Sequence, residues 1–100
     1  MNDAETGYIK LYRKAMETEI FKNPYAWQLF SYCIMSAWYK KSPRGKFETT
    51  YPKIMEKTGI KSKATLSKFL KFLKEQGAID YTSDSKKTTI TVLNFDKYNP

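Results

Sequence analysis

The chain has 100 residues, of which 41% are hydrophobic and 16% are aromatic, which is enough for one packed core but short for two domains. A single cysteine, Cys33, excludes an internal disulfide, and the absence of histidine excludes zinc sites of the usual Cys/His spacing. The net charge of +8 points to a polyanionic partner. With no signal sequence and no apolar run of about 18 residues, we expect a cytoplasmic protein with no metal, cofactor or membrane association.

The N-terminal extension, residues 8–22, is predicted to form a short strand followed by a helical turn. Residues 8–13 alternate apolar and polar side chains and are rich in β-formers, which is typical of a strand with Ile9 and Leu11 facing inward. A short helical turn is expected over residues 15–20.

A long apolar helix is predicted next. Asn23 is a favourable N-cap, and Pro24 suits the first helical position, where a missing N–H costs nothing. The helix is expected to extend to about Tyr39. Its apolar residues cover most of the cylinder, so it is either the core helix, partly covered by the N-terminal segment, or part of an interface.

The middle of the chain contains signals for a loop, a strand edge and a second helix. Ser, Pro, Arg and Gly in residues 40–46 predict a loop, and residues 47–49 suit a short strand. Thr50 is the predicted N-cap of a helix over Tyr51–Thr58, and Gly59 is the residue type favoured just past a helix end.

The third helix is predicted to begin after its N-cap Ser62 and to end at residues 76–77. Leu66, Phe69, Leu70 and Leu73 follow the spacing of one buried stripe. Six residues are expected to face away from that stripe: Ala64, Thr65, Ser67, Lys68, Lys71 and Phe72.

The C-terminal part is predicted to be a β-hairpin, residues 78–94, whose following aromatic residues pack onto the first long helix. A long helix, a short helix, a glycine turn, an amphipathic helix and a hairpin, in that order, are typical of a winged helix-turn-helix. The predicted fold is therefore a single α+β domain over residues 1–100, with three main helices in a helical core at residues 24–76, a C-terminal hairpin wing and a short N-terminal strand.

The positive charge is concentrated in residues 40–74, which contain eleven Lys or Arg and two acids, a net charge of +9. A winged helix places the helix after the turn in the DNA major groove and the wing on nearby phosphates. The residues predicted to contact DNA are basic or hydroxyl-bearing: Lys61, Ser62, Lys63, Thr65, Ser67, Lys68, Lys71, Lys86 and Lys87, with Arg44 and Lys46 extending the contact.

Sequence-specific base recognition is not expected, because the third helix lacks Arg and Asn, and Gln76 lies at its far end. Phe72 is open to three interpretations: a partner anchor, a stacking platform for an unpaired base, or a side chain packed beside the hairpin. We expect no enzymatic activity, since no phosphate-binding glycine loop or metal-binding cluster is present and the acids are scattered.

Three segments also carry a family resemblance: residues 7–14 with Glu19, Ile20 and Phe21, then residues 27–32, and finally residues 90–98. Together they resemble the N-terminal domain of DnaD-like primosome and bacteriophage replisome-organiser proteins. The resemblance extends over nearly the whole chain, and the terminal strand followed by Asn94, Phe95, Lys97 and Tyr98 is its most specific part.

The resemblance implies a winged helix that self-associates through its N-terminal strand and helix and acts in DNA replication. Three functions are expected: a DNA-binding replication accessory protein of a phage or mobile element, an adaptor for a polymerase, primase or helicase, or a transcriptional regulator. Partner contacts and any homo-oligomer are assigned to aromatic residues and one lysine: Tyr8, Lys10, Tyr12, Trp27, Tyr32 and Phe72.

Overall fold

A three-stranded antiparallel sheet and four α-helices form the described part of the chain, an α+β arrangement. The structure is a computed structural model and describes residues 8–39 and 42–98. In chain order the elements are a 3-10 turn (Arg13–Glu17), α1 (Glu19–Lys22), α2 (Pro24–Ser36), β1 (Lys46–Thr49), α3 (Tyr51–Thr58), α4 (Lys63–Glu75), β2 (Ile79–Ser83), β3 (Thr88–Val92) and a second 3-10 turn (Phe95–Lys97). None of the described helices is long and apolar enough to cross a membrane.

The three predicted N-caps are confirmed. The Asn23 side-chain oxygen accepts hydrogen bonds from the N–H groups of Tyr25 and Ala26 at 3.0 and 3.1 Å. Thr50 and Ser62 each accept from the N–H three residues further on, at 3.2 and 3.3 Å. Because these bonds satisfy amides that have no partner within the helix, they fix where α2, α3 and α4 begin.

Helix α2 ends earlier than predicted, at Ser36 rather than near Tyr39. Ala37 has an extended backbone, and the N–H of Trp38 donates to the Lys46 carbonyl at 3.0 Å. The Trp38 carbonyl accepts from Gly45 at 2.8 Å, so tertiary hydrogen bonds at the start of β1 replace the last helical turn.

The predicted N-terminal strand is wrong. Residues 8–12 are irregular, and the Lys10 N–H donates to the Tyr98 carbonyl at 2.7 Å, while the Tyr12 carbonyl accepts from Ala15 at 2.9 Å. Ile9 is half-buried, whereas Leu11 is exposed. The expected helical turn is present as the first 3-10 turn and α1.

The sheet has the strand order β1-β3-β2, with the second strand of the hairpin in the centre. Phe47 on β1 lies opposite Ile90, which lies opposite Tyr81 on β2. Phe47 and Ile90 are buried on the face of the sheet that packs against the helices. Successive cross-strand pairs point alternately to this face and to the opposite face. Ser83 and Thr88 close the hairpin, with their hydroxyl oxygens 2.9 Å apart.

The core is formed where α2 and α4 pack against each other and against the sheet. The predicted stripe of α4 is confirmed, because all four of its members are buried: Leu66, Phe69, Leu70 and Leu73. Phe72 was predicted to face outward and is instead half-buried against the core. The C-terminal aromatics pack as expected, with the Tyr98 ring edge-on to Phe30 at 5.6 Å and Phe95 buried.

Cys33 lies in this core without a disulfide partner. Burial raises the pKa of its thiol to about 12, because an apolar environment penalises the thiolate. The thiol of the unfolded chain ionises near pH 8.5, so the folded state binds the extra proton between the two values. We expect this group to lower the free energy of unfolding by about 1 kcal/mol per pH unit above about pH 9.

The measurement is urea unfolding at several pH values between about 8 and 11 for the wild type and the Cys33→Ala variant. All other ionisable groups are the same in both proteins, so the difference between the two pH slopes isolates the thiol. A steeper decline in the wild type is expected, and equal slopes would show that Cys33 does not contribute.

Candidate nucleic-acid interface

A groove of about 490 Å³ lies between the start of α3, the start of α4 and the hairpin turn. We call it the basic groove, and its lining residues are Thr50, Tyr51, Pro52, Lys63, Ser83, Asp84, Ser85, Lys86, Lys87 and Thr88. Lys63 projects from the first turn of α4, and Lys86 and Lys87 come from the hairpin turn. Two elements that are distant in sequence thus bring three lysines to one concave surface.

The hairpin turn is fixed by Asp84. One of its carboxylate oxygens accepts hydrogen bonds from the backbone N–H groups of Lys86 and Lys87, at 2.7 and 2.9 Å. The pKa of Asp84 is lowered by these two bonds, first that of Lys86 and then that of Lys87. Among the described residues that line the groove, the only acid therefore fixes the backbone of the turn that carries both lysines.

Lys87 also forms an ion pair across the sheet. Its ammonium lies 2.6 Å from a carboxylate oxygen of Glu48 on β1, and this bond raises the pKa of Lys87. Both side chains are about half exposed, so the pair is accessible to solvent and to ligands. Glu48 is consequently an internal competitor for any anion that approaches the groove.

The exposed face of α4 extends the positive surface beyond the groove. No carboxylate of a described residue lies within 4.0 Å of the ammonium groups of Lys61, Lys63, Lys68, Lys71 or Lys86, all of which are exposed. Lys74, at the other end of α4, differs because it pairs with Asp80 at 3.3 Å. Three of these exposed lysines, Lys63, Lys68 and Lys71, lie in the first two-thirds of α4.

The hydroxyl groups predicted to contact DNA are partly engaged within the protein. Ser62 is occupied as the N-cap, and Thr65 is half-buried. The Ser67 hydroxyl lies 3.3 Å from that of Tyr51, at the exposed border of the groove. The first amides of α4, at Lys63 and Ala64, precede the hydrogen-bond ladder of the helix and remain suitable donors to an anion.

Arg44 and Lys46 are not brought to the basic groove. Arg44 pairs with Asp96 at 3.0 Å, and its guanidinium lies 5.8 Å from the centre of the Phe95 ring. Lys46 lies opposite Thr91, three rows along the sheet from the end that carries the hairpin turn. Lys40 and Lys41, which belong to the predicted basic segment, lie outside the described residues.

Searches of protein families, curated proteins and solved structures find no match to this chain. Within residues 8–39 and 42–98, no group of three or more His, Cys, Asp or Glu side chains is placed to hold a metal ion. The basic groove can bind an anion through lysine ammonium groups and the first backbone amides of α4.

The predicted partner residues do not form one surface. Trp27 packs edge-on to Phe21 with ring centres 5.1 Å apart, whereas the Tyr32 hydroxyl is 3.1 Å from that of Thr49 beside the sheet. Tyr8 is strongly exposed, at 72%. Tyr12 and Trp27 line a second groove together, but Tyr32 does not.

Seven residues that line the basic groove were not predicted as contact residues: Thr50, Tyr51, Pro52, Ser83, Asp84, Ser85 and Thr88. They were interpreted only as the beginning of a helix or as parts of the hairpin, and Glu48, which pairs with Lys87, was also missed. Alternation along β1 already placed Glu48 on the side opposite to Phe47, but its pairing with Lys87 depends on the register of β1 against β3, which no local pattern specifies.

Proposed function

We propose that this protein is a winged-helix protein that binds DNA with low sequence specificity, without enzymatic activity, as an accessory or initiation factor in a replication complex of a phage or mobile element. The observation that carries the proposal is the convergence of Lys63 with Lys86 and Lys87 in one groove. Lysines that two separate elements bring to one surface are suited to contact phosphates of a nucleic-acid backbone.

The order of elements supports the winged-helix assignment. Helix α2, strand β1, helices α3 and α4 and the β2–β3 hairpin follow one another, and the hairpin packs beside β1. Helices α3 and α4 are separated by a short turn in which Gly59 has a φ of 79°. In such a domain α4 is the recognition helix and residues 84–87 form the tip of the wing.

Low specificity follows from the side chains on α4. Bidentate base contacts are made mostly by Arg, Asn and Gln, and α4 has none of these between Lys63 and Glu75. Its exposed lysines suit phosphates instead. The proposed complex is therefore held mainly by the DNA backbone.

The assignment to replication rests on the resemblance to DnaD-like proteins rather than on the groove. It is tested by capturing the protein from its native host with added nuclease and identifying the proteins that stay bound. Replication enzymes that survive nuclease treatment would support an adaptor role, replication enzymes lost with the nucleic acid would support DNA as the bridge, and capture of neither would contradict the replication proposal.

DNA binding is tested by titrating fluorescent duplexes of several unrelated sequences and following anisotropy. We expect affinities within about threefold of one another, because backbone contacts carry little sequence information. One duplex bound at least about a hundredfold more tightly would favour the transcriptional regulator, since specific binding exceeds nonspecific binding by about three orders of magnitude or more. The strand state of the bound DNA is left open, so the absence of binding to every duplex and to single-stranded oligonucleotides of the same sequences would refute the proposal.

Glu48 provides a gain-of-function test. The Glu48→Gln substitution removes the carboxylate that pairs with Lys87 at 2.6 Å and frees the ammonium for a phosphate. We expect affinity for duplex DNA to rise about threefold, a modest gain because exposed ion pairs are weak. Glu17→Gln is the matched control, since it changes the net charge equally but lies on the N-terminal 3-10 turn. An equal gain in both variants would assign the effect to overall charge.

A further inference from the structure

A second groove, of about 500 Å³, lies at the opposite end of α4 from the basic groove. We call it the aromatic groove, and its apolar surface is formed by Leu11, Tyr12, Trp27, Phe30, Ala78 and Tyr98. The N-terminal segment forms one wall, α2 the base, and the residues after α4 the other wall. Leu11 and Tyr12 are about half exposed, so large apolar surfaces remain open to solvent.

The border of the aromatic groove is cationic. Lys14 and Lys97 both line it, and none of the described lining residues is Asp or Glu. The ammonium of Lys97 lies 5.7 Å from the centre of the Tyr12 ring, which fixes positive charge over the apolar wall. Lys10 lies nearby, because its N–H binds the Tyr98 carbonyl.

Two nearby carboxylates pair with residues outside the groove. Asp96 pairs with Arg44 at 3.0 Å, and Glu19 pairs with Lys22 at 3.2 Å. Glu17 shares the first 3-10 turn with Lys14 but does not line the groove. Among the described lining residues, the charged side chains are therefore all lysines.

Tyr98 adds a hydrogen-bond donor. Burial, together with the neighbouring Tyr12, raises its pKa above the usual value for tyrosine, which favours the protonated phenol. An apolar base, two ammonium groups and a phenolic donor form a surface complementary to carboxylates that flank a bulky apolar side chain.

We infer that the aromatic groove binds an acidic peptide segment of a partner protein, with an apolar side chain against Trp27 and Phe30 and carboxylates at Lys14 and Lys97. A second copy that paired through the same groove by two-fold symmetry would bring the same lysines together, which charge repulsion opposes. A nucleic-acid backbone would match the lysines but leave the apolar surface uncovered.

The position of this groove permits DNA and peptide to bind together. Helix α4 has 13 residues and is therefore about 20 Å long, with Lys63 at one end and Gln76, which lines the aromatic groove, just beyond the other. This inference goes beyond DNA binding and does not depend on it. The chain would join a nucleic acid at one end of α4 to an acidic partner at the other.

The test uses the full chain and a fluorescein-labelled synthetic peptide in which aspartate and glutamate flank one leucine and one phenylalanine. Two control peptides replace the acids by lysine or the two apolar residues by serine. We expect saturable binding of the acidic peptide, and at least about tenfold weaker binding of each control. Equal binding of any control would overturn the inference.

The site is located by two tryptophan signals. The chain has two tryptophans, and Trp27 lines the aromatic groove while Trp38 lies on another face. In heteronuclear NMR spectra the indole N–H resonance of Trp27 should shift on addition of the peptide, while that of Trp38 stays in place. The reverse pattern, or a Trp27 shift with a DNA duplex but not with the peptide, would refute the assignment.

Charge-reversed variants separate the two sites. Lys14→Glu with Lys97→Glu should weaken the acidic peptide about tenfold and leave duplex affinity nearly unchanged. Lys68→Glu with Lys71→Glu, which makes the same change in net charge on α4, should do the opposite. If the first pair leaves peptide binding intact, the inference fails, whereas failure of the second pair to affect DNA would count against the DNA interface alone.

Discussion

The double substitution Lys63→Glu and Lys86→Glu is expected to lower affinity for duplex DNA about a hundredfold. Both residues line the basic groove, and neither ammonium has a described carboxylate within 4.0 Å. Each substitution removes one charge-assisted contact to a phosphate and introduces a repulsive charge. The first residue lies on α4 and the second on the hairpin, so the variant tests whether the two elements act together.

The measurement is anisotropy titration at one fixed salt concentration, because such affinities depend steeply on salt. Lys14→Glu with Lys97→Glu is the matched control, with the same change in net charge at the aromatic groove. A similar loss in the control would mean that overall charge, rather than the basic groove, controls binding. Circular dichroism and unfolding curves of all variants should match the wild type, since the four lysines are exposed.

The Gly45→Ala substitution is expected to destabilise the protein by about 3 kcal/mol. Gly45 has a φ of 83°, and a Cβ atom there would lie 2.8 Å from the Cβ of Phe95. A left-handed backbone costs an alanine about 1 kcal/mol, and forcing a methyl group into a packed position adds about 2 kcal/mol. The neighbouring chain cannot easily move, because Gly45 also bonds Trp38 and Val92 through its backbone, at 2.8 and 2.7 Å.

Gly59→Ala is the control, since Gly59 has a φ of 79° but a Cβ atom there would meet no described atom within 4 Å. The Gly59→Ala variant should lose only about 1 kcal/mol of unfolding free energy, which is the cost of the left-handed backbone. Urea unfolding of both variants measures the difference. Equal losses would show that the contact between Gly45 and Phe95 carries no packing strain.

Local signals predicted the helices and the hairpin well, because their caps and stripes act within a few residues. Asn23, Thr50 and Ser62 each bind amides in the next turn, and Gly59 ends α3 with a positive φ. The strand prediction for residues 8–13 failed, because an alternating pattern of apolar and polar residues forms a strand only where a sheet edge is available. In the described chain that segment meets the Tyr98 carbonyl rather than a strand.

The candidate site was predicted in part. Lysine composition and element order indicated Lys63, Lys86 and Lys87, and these three meet in the basic groove. Arg44 was grouped with them by its charge, yet its partner is Asp96, more than fifty residues later in the chain. Such ion pairs depend on tertiary placement, which a single sequence pattern does not contain.

Two distinct surfaces lie at the two ends of α4. The basic groove offers ammonium groups and helix amides, and the aromatic groove offers apolar surface bordered by Lys14 and Lys97. For the proposed function, this arrangement would keep the nucleic-acid contact and the protein contact from competing for the same residues.

The salt dependence of duplex binding tests the proposed DNA interface most directly. Five lysines, Lys61, Lys63, Lys68, Lys71 and Lys86, have no described acid within 4.0 Å, and Lys87 is shared with Glu48. With five or six phosphate contacts, the logarithm of the binding constant should fall against the logarithm of salt concentration with a slope of about −5. The Lys63→Glu and Lys86→Glu double variant should reduce that slope by about two. A wild-type slope near zero would contradict DNA binding through the basic groove.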